Sequence, residues 1–209
     1  MDLLQPRLYA GAADLEAMKK LLRAGIQAGG EEFYVHPGDL MWWLFYPPAG
    51  EDLLAHTWLW DHPAQAGELL AWMLVDPSWP SFELFVHPAI FGSDQHLRML
   101  LWAEGEGLCL RRPDSIALNK LWIAEGDRFQ RAYLENRGYA EAGADTFFLR
   151  SLEEPVEAAP VPSWTVRLCQ GASEVEPRPR AQYAASGSSK SFEAYLARFF
   201  RFLQSAVSA

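Results

Sequence analysis

The chain has 209 residues, half of them hydrophobic and 22% charged, and 18 Lys and Arg against 27 Asp and Glu give a net charge of −9. Such a chain can bury a core, and its acidic balance argues against nonspecific binding to nucleic acid or an anionic membrane, which needs a basic surface. No apolar run reaches the roughly 18 residues that span a bilayer. The first residues, Met1 to Pro6, lack the basic start and apolar stretch of a signal peptide, and two cysteines suit a reducing cytoplasm.

In chain order, Pro6 to Ala10 is expected to form a short strand. Leu15, Met18, Leu22 and Ile26 recur at helical spacing and predict a helix over 14–27, stopped by Gly29-Gly30. Pro37-Gly38-Asp39 turns into the apolar run 40–46, read as a short buried helix that Pro47-Pro48 ends. Three antiparallel strands follow, over 54–61, 68–76 and 82–86, with Trp58 and Trp60 on one face of the first and Leu59 on the other. Ser93 or Asp94 can cap a helix over 94–106. Residues 115–124 read as a strand, Asp127 caps a helix running to Arg137, and Gly138 closes it in a left-handed conformation. Residues 146–152 read as a last strand. The order predicts a mixed α/β domain with a crossover connection.

Residues 153–163, Glu-Glu-Pro-Val-Glu-Ala-Ala-Pro-Val-Pro-Ser, form a proline-punctuated acidic linker between a complete unit (1–152) and a shorter C-terminal one (164–209). In the latter, 164–168 reads as a strand, 172–185 as helical, and 192–203 as a helix carrying Phe192, Tyr195, Leu196, Phe199, Phe200 and Leu203. Its apolar surface needs cover, either from the first unit or from a second copy in a homodimer.

Nine Trp, eight of them between Trp42 and Trp122, point first to a thick core and second to an aromatic pocket wall. An acidic, Trp-rich cleft suits a cation. His56, Asp61 and His62 do not make a metal site, because the two histidines would lie about 20 Å apart along an extended strand. His36 and His87 precede prolines and read as turn residues. Cys109 reads as a small buried residue.

The element order, with three segments, resembles the GNAT superfamily of acetyl-CoA-dependent N-acyltransferases. Phe82-Glu83-Leu84-Phe85-Val86-His87-Pro88-Ala89-Ile90-Phe91-Gly92-Ser93 is similar to that family's strand, Gly-containing turn and helix start. Ala132 to Tyr139 is similar to its helix ending in Gly-aromatic. Trp164 to Leu168 with Ala185 to Tyr195 resembles the opening of a second unit, as in tandem members related to mycothiol synthase.

The resemblance implies a mixed, mostly antiparallel sheet whose fourth and fifth strands splay apart around the cofactor. Leu84, Phe85 and Val86 would face the pantetheine. Backbone of Phe91, Gly92, Ser93, Asp94, Gln95 and His96 would cradle the diphosphate, where a helix N-terminus offers N–H groups. Asn119 would add a polar contact. Glu83 would act as general base and Tyr133 as the acid for the departing thiolate. Acceptors would be small, cationic amines.

The segment departs from the family's Arg/Gln-x-x-Gly-x-Gly/Ala loop. Phe91 replaces the basic or amide residue, the later glycine is missing, and Asp94 sets a carboxylate beside a diphosphate. Where the acid is commonly a Tyr four residues before the closing Gly, this chain has Leu134, with Tyr133 about 100° around the helix. These departures support a second reading, a catalytically silent GNAT-like module with a structural or ligand-binding role.

Overall fold

The computed structural model describes residues 5–28, 30, 32–45, 52–77, 81–110, 120–146, 153, 177–186, 191–193, 196–197 and 200. A short strand, β1 (Arg7–Leu8), leads into helix α1 (Ala12–Gln27), which buries Leu15, Met18, Leu21 and Leu22 along one stripe. Helix α2 (Pro37–Phe45) follows, then a 3-10 turn over Leu53–His56 and the meander β2 (Thr57–Asp61), β3 (Leu69–Asp76) and β4 (Ser81–Val86). The expected first meander strand is therefore three residues shorter, because its opening residues wind into the 3-10 turn with Asp52 accepting Leu54 N–H. Helices α3 (Asp94–Cys109), α4 (Arg128–Asn136) and α5 (Pro177–Ser186) complete the described elements.

The sheet runs β1-β2-β3-β4 and every neighbour is antiparallel. Strand β3 is central and buried along almost its whole length, as its unbroken apolar sequence requires. One face of the sheet, with Leu59, Trp72, Leu74 and Phe85, packs on α1 and α2. The other, with Trp60, Met73, Phe82, Leu84 and Val86, packs on Met99, Leu100 and Ala103 of α3 and on Tyr133 and Leu134 of α4. The alternation expected for Trp58, Leu59 and Trp60 is the one observed. Arg7 ties the layers at one edge, its guanidinium donating to Asp14 of α1 and to Asp61 at the end of β2 at 2.7–2.9 Å.

Local punctuation behaves as the sequence predicts. Asp127 accepts Gln130 N–H at 2.9 Å and caps α4, while Gly138 closes it at φ +84°. Ser93, rather than Asp94, caps α3, its hydroxyl oxygen accepting His96 N–H. Each of the three His-Pro pairs makes the same turn: Nδ1 of His36, His62 and His87 accepts the N–H two residues on, at 3.0–3.2 Å. Cys109 is exposed, not buried, because it falls in the last turn of α3 beside the exposed Leu108. The Trp cluster divides: Trp60 and Trp72 are fully buried, Trp102 meets Trp58 and Trp60 edge-on, and Trp42 and Trp122 are exposed.

The expected strand over 146–152, the linker after Glu153, the 164–168 strand and most of the last apolar helix lie outside the described residues, as does residue 119. No helix among the described residues is long and apolar enough to cross a membrane.

Candidate functional site

Of the expected fifth strand, 115–124, the described residues begin at Lys120. Ser81 and Lys120 form an isolated parallel bridge, with Phe82 N–H donating to Lys120 O at 3.0 Å. Beyond it, residues 121–124 belong to no strand, and Leu121 and Ile123 pack on the α3/α4 face. Among the described residues, the outer edge of β4 is therefore open past its first residues. Its polarity follows from two bonds: Phe82 N–H points outward to Lys120, and His87 N–H points inward to Leu70 O at 2.7 Å. Alternation turns the backbone groups of Leu84 and Val86 outward and those of Glu83 and Phe85 towards β3. Among the described residues nothing pairs with Leu84 N–H, Leu84 C=O or Val86 N–H.

Residues 32–34, between α1 and α2, cross the far end of this gap. The Tyr34 hydroxyl donates to Val86 O at 2.7 Å. Phe33 meets Phe91 with ring centroids 5.6 Å apart. A Cβ on Gly126 would sit 3.2 Å from Glu32 Oε1, so this segment also touches the turn before α4. Tyr34 itself is seated against α1, where a Cβ on Gly25 would come within 2.5 Å of its ring. Burial first, and the charge of Asp127 second, push its phenol up to about 12, so the hydroxyl keeps its proton at neutral pH. Nothing in the sequence singled out Tyr34; the glycines at 25 and 30 are the nearest thing to a signal.

The loop after β4 follows a tight course. A 3-10 turn over Pro88–Ile90 leads to Gly92, whose φ of +73° favours glycine, and then to Ser93. Phe91 N–H donates to Pro88 O, Ser93 N–H to Ile90 O, and Gly92 N–H to Nδ1 of His96 at 3.1 Å. The amides of Asp94 and Gln95, the first two of α3, have no partner among the described residues. His96 is only 1% exposed and its ring lies near Phe91 (5.3 Å) and Phe129 (4.8 Å). Burial lowers its pKa to about 4, which keeps it neutral. Since Nδ1 accepts, the proton is on Nε2, and Nε2 has no hydrogen-bond partner among the described residues.

Glu83 and Tyr133 stand on opposite faces of the sheet. Strand alternation puts Glu83 with Phe85 on the α1/α2 side, opposite Leu74 of β3. It is partly buried, has no ion pair or hydrogen-bond partner among the described residues, and desolvation raises its pKa to about 8. Tyr133 lies on the α3/α4 side. Its hydroxyl donates to Glu104 Oε2 at 2.6 Å, and Arg137 Nε donates to the same oxygen at 3.0 Å. Burial, then the Glu104 carboxylate, holds the Tyr133 phenol far above its ordinary range. Glu104, 29 residues earlier, was not foreseen as its partner. The structure thus gathers Leu84, Val86, Phe91, Gly92, Ser93, Asp94, Gln95 and His96 along one edge and loop, and leaves Tyr133 apart from Glu83. Phe85 contributes its side chain to the α1/α2 core, stacked near Trp72 at 4.6 Å.

An extended chain with amides would find a donor and an acceptor at Leu84 and a second donor at Val86. An anion beyond it would find the free amides of Asp94 and Gln95 at the positive end of α3. These groups fit coenzyme A in outline, with Gly92 N–H engaged by His96 and the exposed Asp94 carboxylate opposing the anion. Among the described residues, no three His, Cys, Asp or Glu side chains lie close enough to hold a metal ion.

No family profile matches the chain, and no curated protein matches it. A solved structure does, a GCN5-related N-acetyltransferase from Sphaerobacter thermophilus, with a TM-score of 0.50 and 20% identity over 92% of this chain. The chain spans 62% of the length of that protein. At this identity the likeness is one of fold. The chain has the fold of a GCN5-related N-acetyltransferase.

Proposed function

We propose that the chain is an N-acyltransferase that passes an acyl group, nominally acetyl, from a coenzyme A thioester to a small amine. The observation that carries this reading is the outer edge of β4, where residues 121–124 leave after the Lys120 bridge and, among the described residues, Leu84 N–H, Leu84 C=O and Val86 N–H are unpaired. Unpaired strand groups facing a gap are costly unless something occupies them. When bound, the coenzyme supplies the thioester carbon that the amine attacks.

The chain's own residues would then do three things. Leu84 and Val86 orient the pantetheine amides, and Asp94 and Gln95 amides hold the diphosphate. Glu83 takes a proton from the acceptor ammonium and so leaves a nucleophilic amine. A carboxyl with a pKa of about 8 is well matched to that task near neutral pH, since it is a far stronger base than an exposed glutamate. In this reading Tyr133, its proton held by Glu104, fixes α4 on α3, and the departing thiolate takes its proton from water. The net charge of −9 favours cationic acceptors.

A second reading, a silent module that keeps the fold without the chemistry, is favoured by the Gly92 amide and the Val86 carbonyl, both already bonded within the chain. Calorimetric titration with coenzyme A separates the two. Micromolar binding is expected for the enzyme. No heat and no thermal shift at millimolar coenzyme A would establish the silent module instead.

A further inference from the structure

We propose that the His96 ring is a latch on the anion loop: it holds the Gly92 amide until a diphosphate displaces it. The inference rests on the acyltransferase reading and concerns how that site is opened.

The loop offers few backbone donors to an anion. Those of Phe91 and Ser93 close backbone turns on Pro88 and Ile90, and rupture of either would unmake the turn itself. The Gly92 amide is different, because its acceptor is a side chain, Nδ1 of His96 at 3.1 Å. A side chain can be exchanged for a ligand oxygen by rotation, with the backbone left in place. Gly92 also sits at φ +73°, one residue before the cap and two before Asp94, and the Asp94 and Gln95 amides have no partner among the described residues.

The latched state satisfies only half of the ring. Nδ1 is bonded, but Nε2–H is buried without a partner among the described residues. A buried unpaired donor is an unfavourable arrangement that a new acceptor would relieve. Rotation of the ring out of the loop would let water satisfy Nε2–H and free Gly92 N–H for a phosphate oxygen at once. The aromatic neighbours Phe91 and Phe129 flank the ring in the closed position by tilted contacts, at interplanar angles of 50° and 34°. Phe91 is itself 37% exposed and touches Phe33 of the segment crossing the gap, so release of the ring and entry to the slot involve the same neighbours.

The test compares the full chain with His96→Phe, which keeps a flat ring but no acceptor, and His96→Asn, whose amide oxygen can replace Nδ1. His96→Ala stands in if the Phe variant does not fold. Two readouts are taken: hydrogen exchange of the Gly92 amide without ligand, and calorimetric binding of coenzyme A. Exchange at Gly92 is expected to accelerate in the Phe variant only. Coenzyme A is expected to bind the Phe variant about tenfold more tightly, roughly one charge-assisted hydrogen bond, with the Asn variant close to the parent. Equal affinity in all three proteins would overturn the latch and leave the acyltransferase reading standing. Unchanged Gly92 exchange would also overturn the latch. Failure of every protein to bind, with Gly92 released in the Phe variant, would overturn the acyltransferase reading and the latch with it.

Discussion

The two faces of the sheet treat a buried carboxyl in opposite ways. On the α3/α4 face Glu104, 4% exposed, receives Tyr133 and Arg137 and joins two helices. On the α1/α2 face Glu83 has apolar Leu74 across the strand and no partner among the described residues, and its pKa rises to about 8. Burial of a charge is costly unless it is paired, so a paired carboxyl is explained by structure alone. An unpaired one is a standing cost that a fold keeps only where the group has other work. The contrast separates a carboxyl that joins two helices from one that the proposed mechanism uses as its base.

The largest expected effect falls on that available group. Glu83→Gln should lower kcat by about 10²–10⁴-fold, the usual worth of a general base, while thermal stability holds or rises because a neutral amide costs less to bury. A variant with full activity would remove Glu83 from the mechanism and break the contrast. The parent's kcat/KM should climb with pH and level off near pH 8, and the same substitution should abolish that inflection.

Tyr133→Phe should do the reverse. It removes one of two donors to buried Glu104, so stability is expected to fall by about 1–3 kcal/mol, read by urea unfolding, with kcat within a few fold of the parent. A hundredfold loss of kcat at unchanged stability would instead make Tyr133 the acid that the sequence first nominated.

The folded state's pH dependence sharpens the same comparison. The Glu83 pKa is raised from a model-peptide value of 4.5 to about 8, so the folded protein holds a proton that the unfolded chain has released. Stability should therefore be undiminished by this group below about pH 4.5 and fall as pH rises from there to 8. Its slope is at most about 1.4 kcal/mol per pH unit. Unfolding of parent and Glu83→Gln across this range should converge at the acid end; parallel curves would refute the shift.

Smaller effects test the slot. Tyr34→Phe removes the bond to Val86 O and should cost about 1 kcal/mol of stability, with coenzyme A affinity unchanged or improved. Asp94→Asn should change stability by only about 0.3–1 kcal/mol, the scale of an exposed first-turn charge on a helix dipole, and should tighten coenzyme A binding by removing like-charge repulsion.

Much of this protein was legible in the sequence because it depends on neighbours in the chain. The α1 stripe, the capping of α4 by Asp127, the left-handed Gly138 and the His-Pro turns are all settled within about one helical turn or one turn of loop. The strand alternation that places Glu83 opposite Phe82 and Leu84 is a consequence of extended backbone alone. The segment over 82–93 could therefore be recognised as a strand, turn and helix start before any contact was known.

Tertiary structure decided the rest, because the deciding contacts join residues far apart in the chain. Tyr34 reaches Val86 across 52 residues, and Glu104 receives Tyr133 across 29. Ser115 to Ala124 is apolar enough for a strand, yet of its described residues Lys120 bridges to β4 and those after it turn to the α3/α4 face. Cys109 was expected inside and lies outside because burial depends on where a helix outruns the sheet beneath it. Most of all, desolvation of Glu83 and the seating of His96 on Gly92 are properties of space rather than of spacing. Backbone order fixes where a carboxylate and a histidine stand along the chain, whereas the packing around them leaves Glu83 without a partner among the described residues and sets His96 against Gly92.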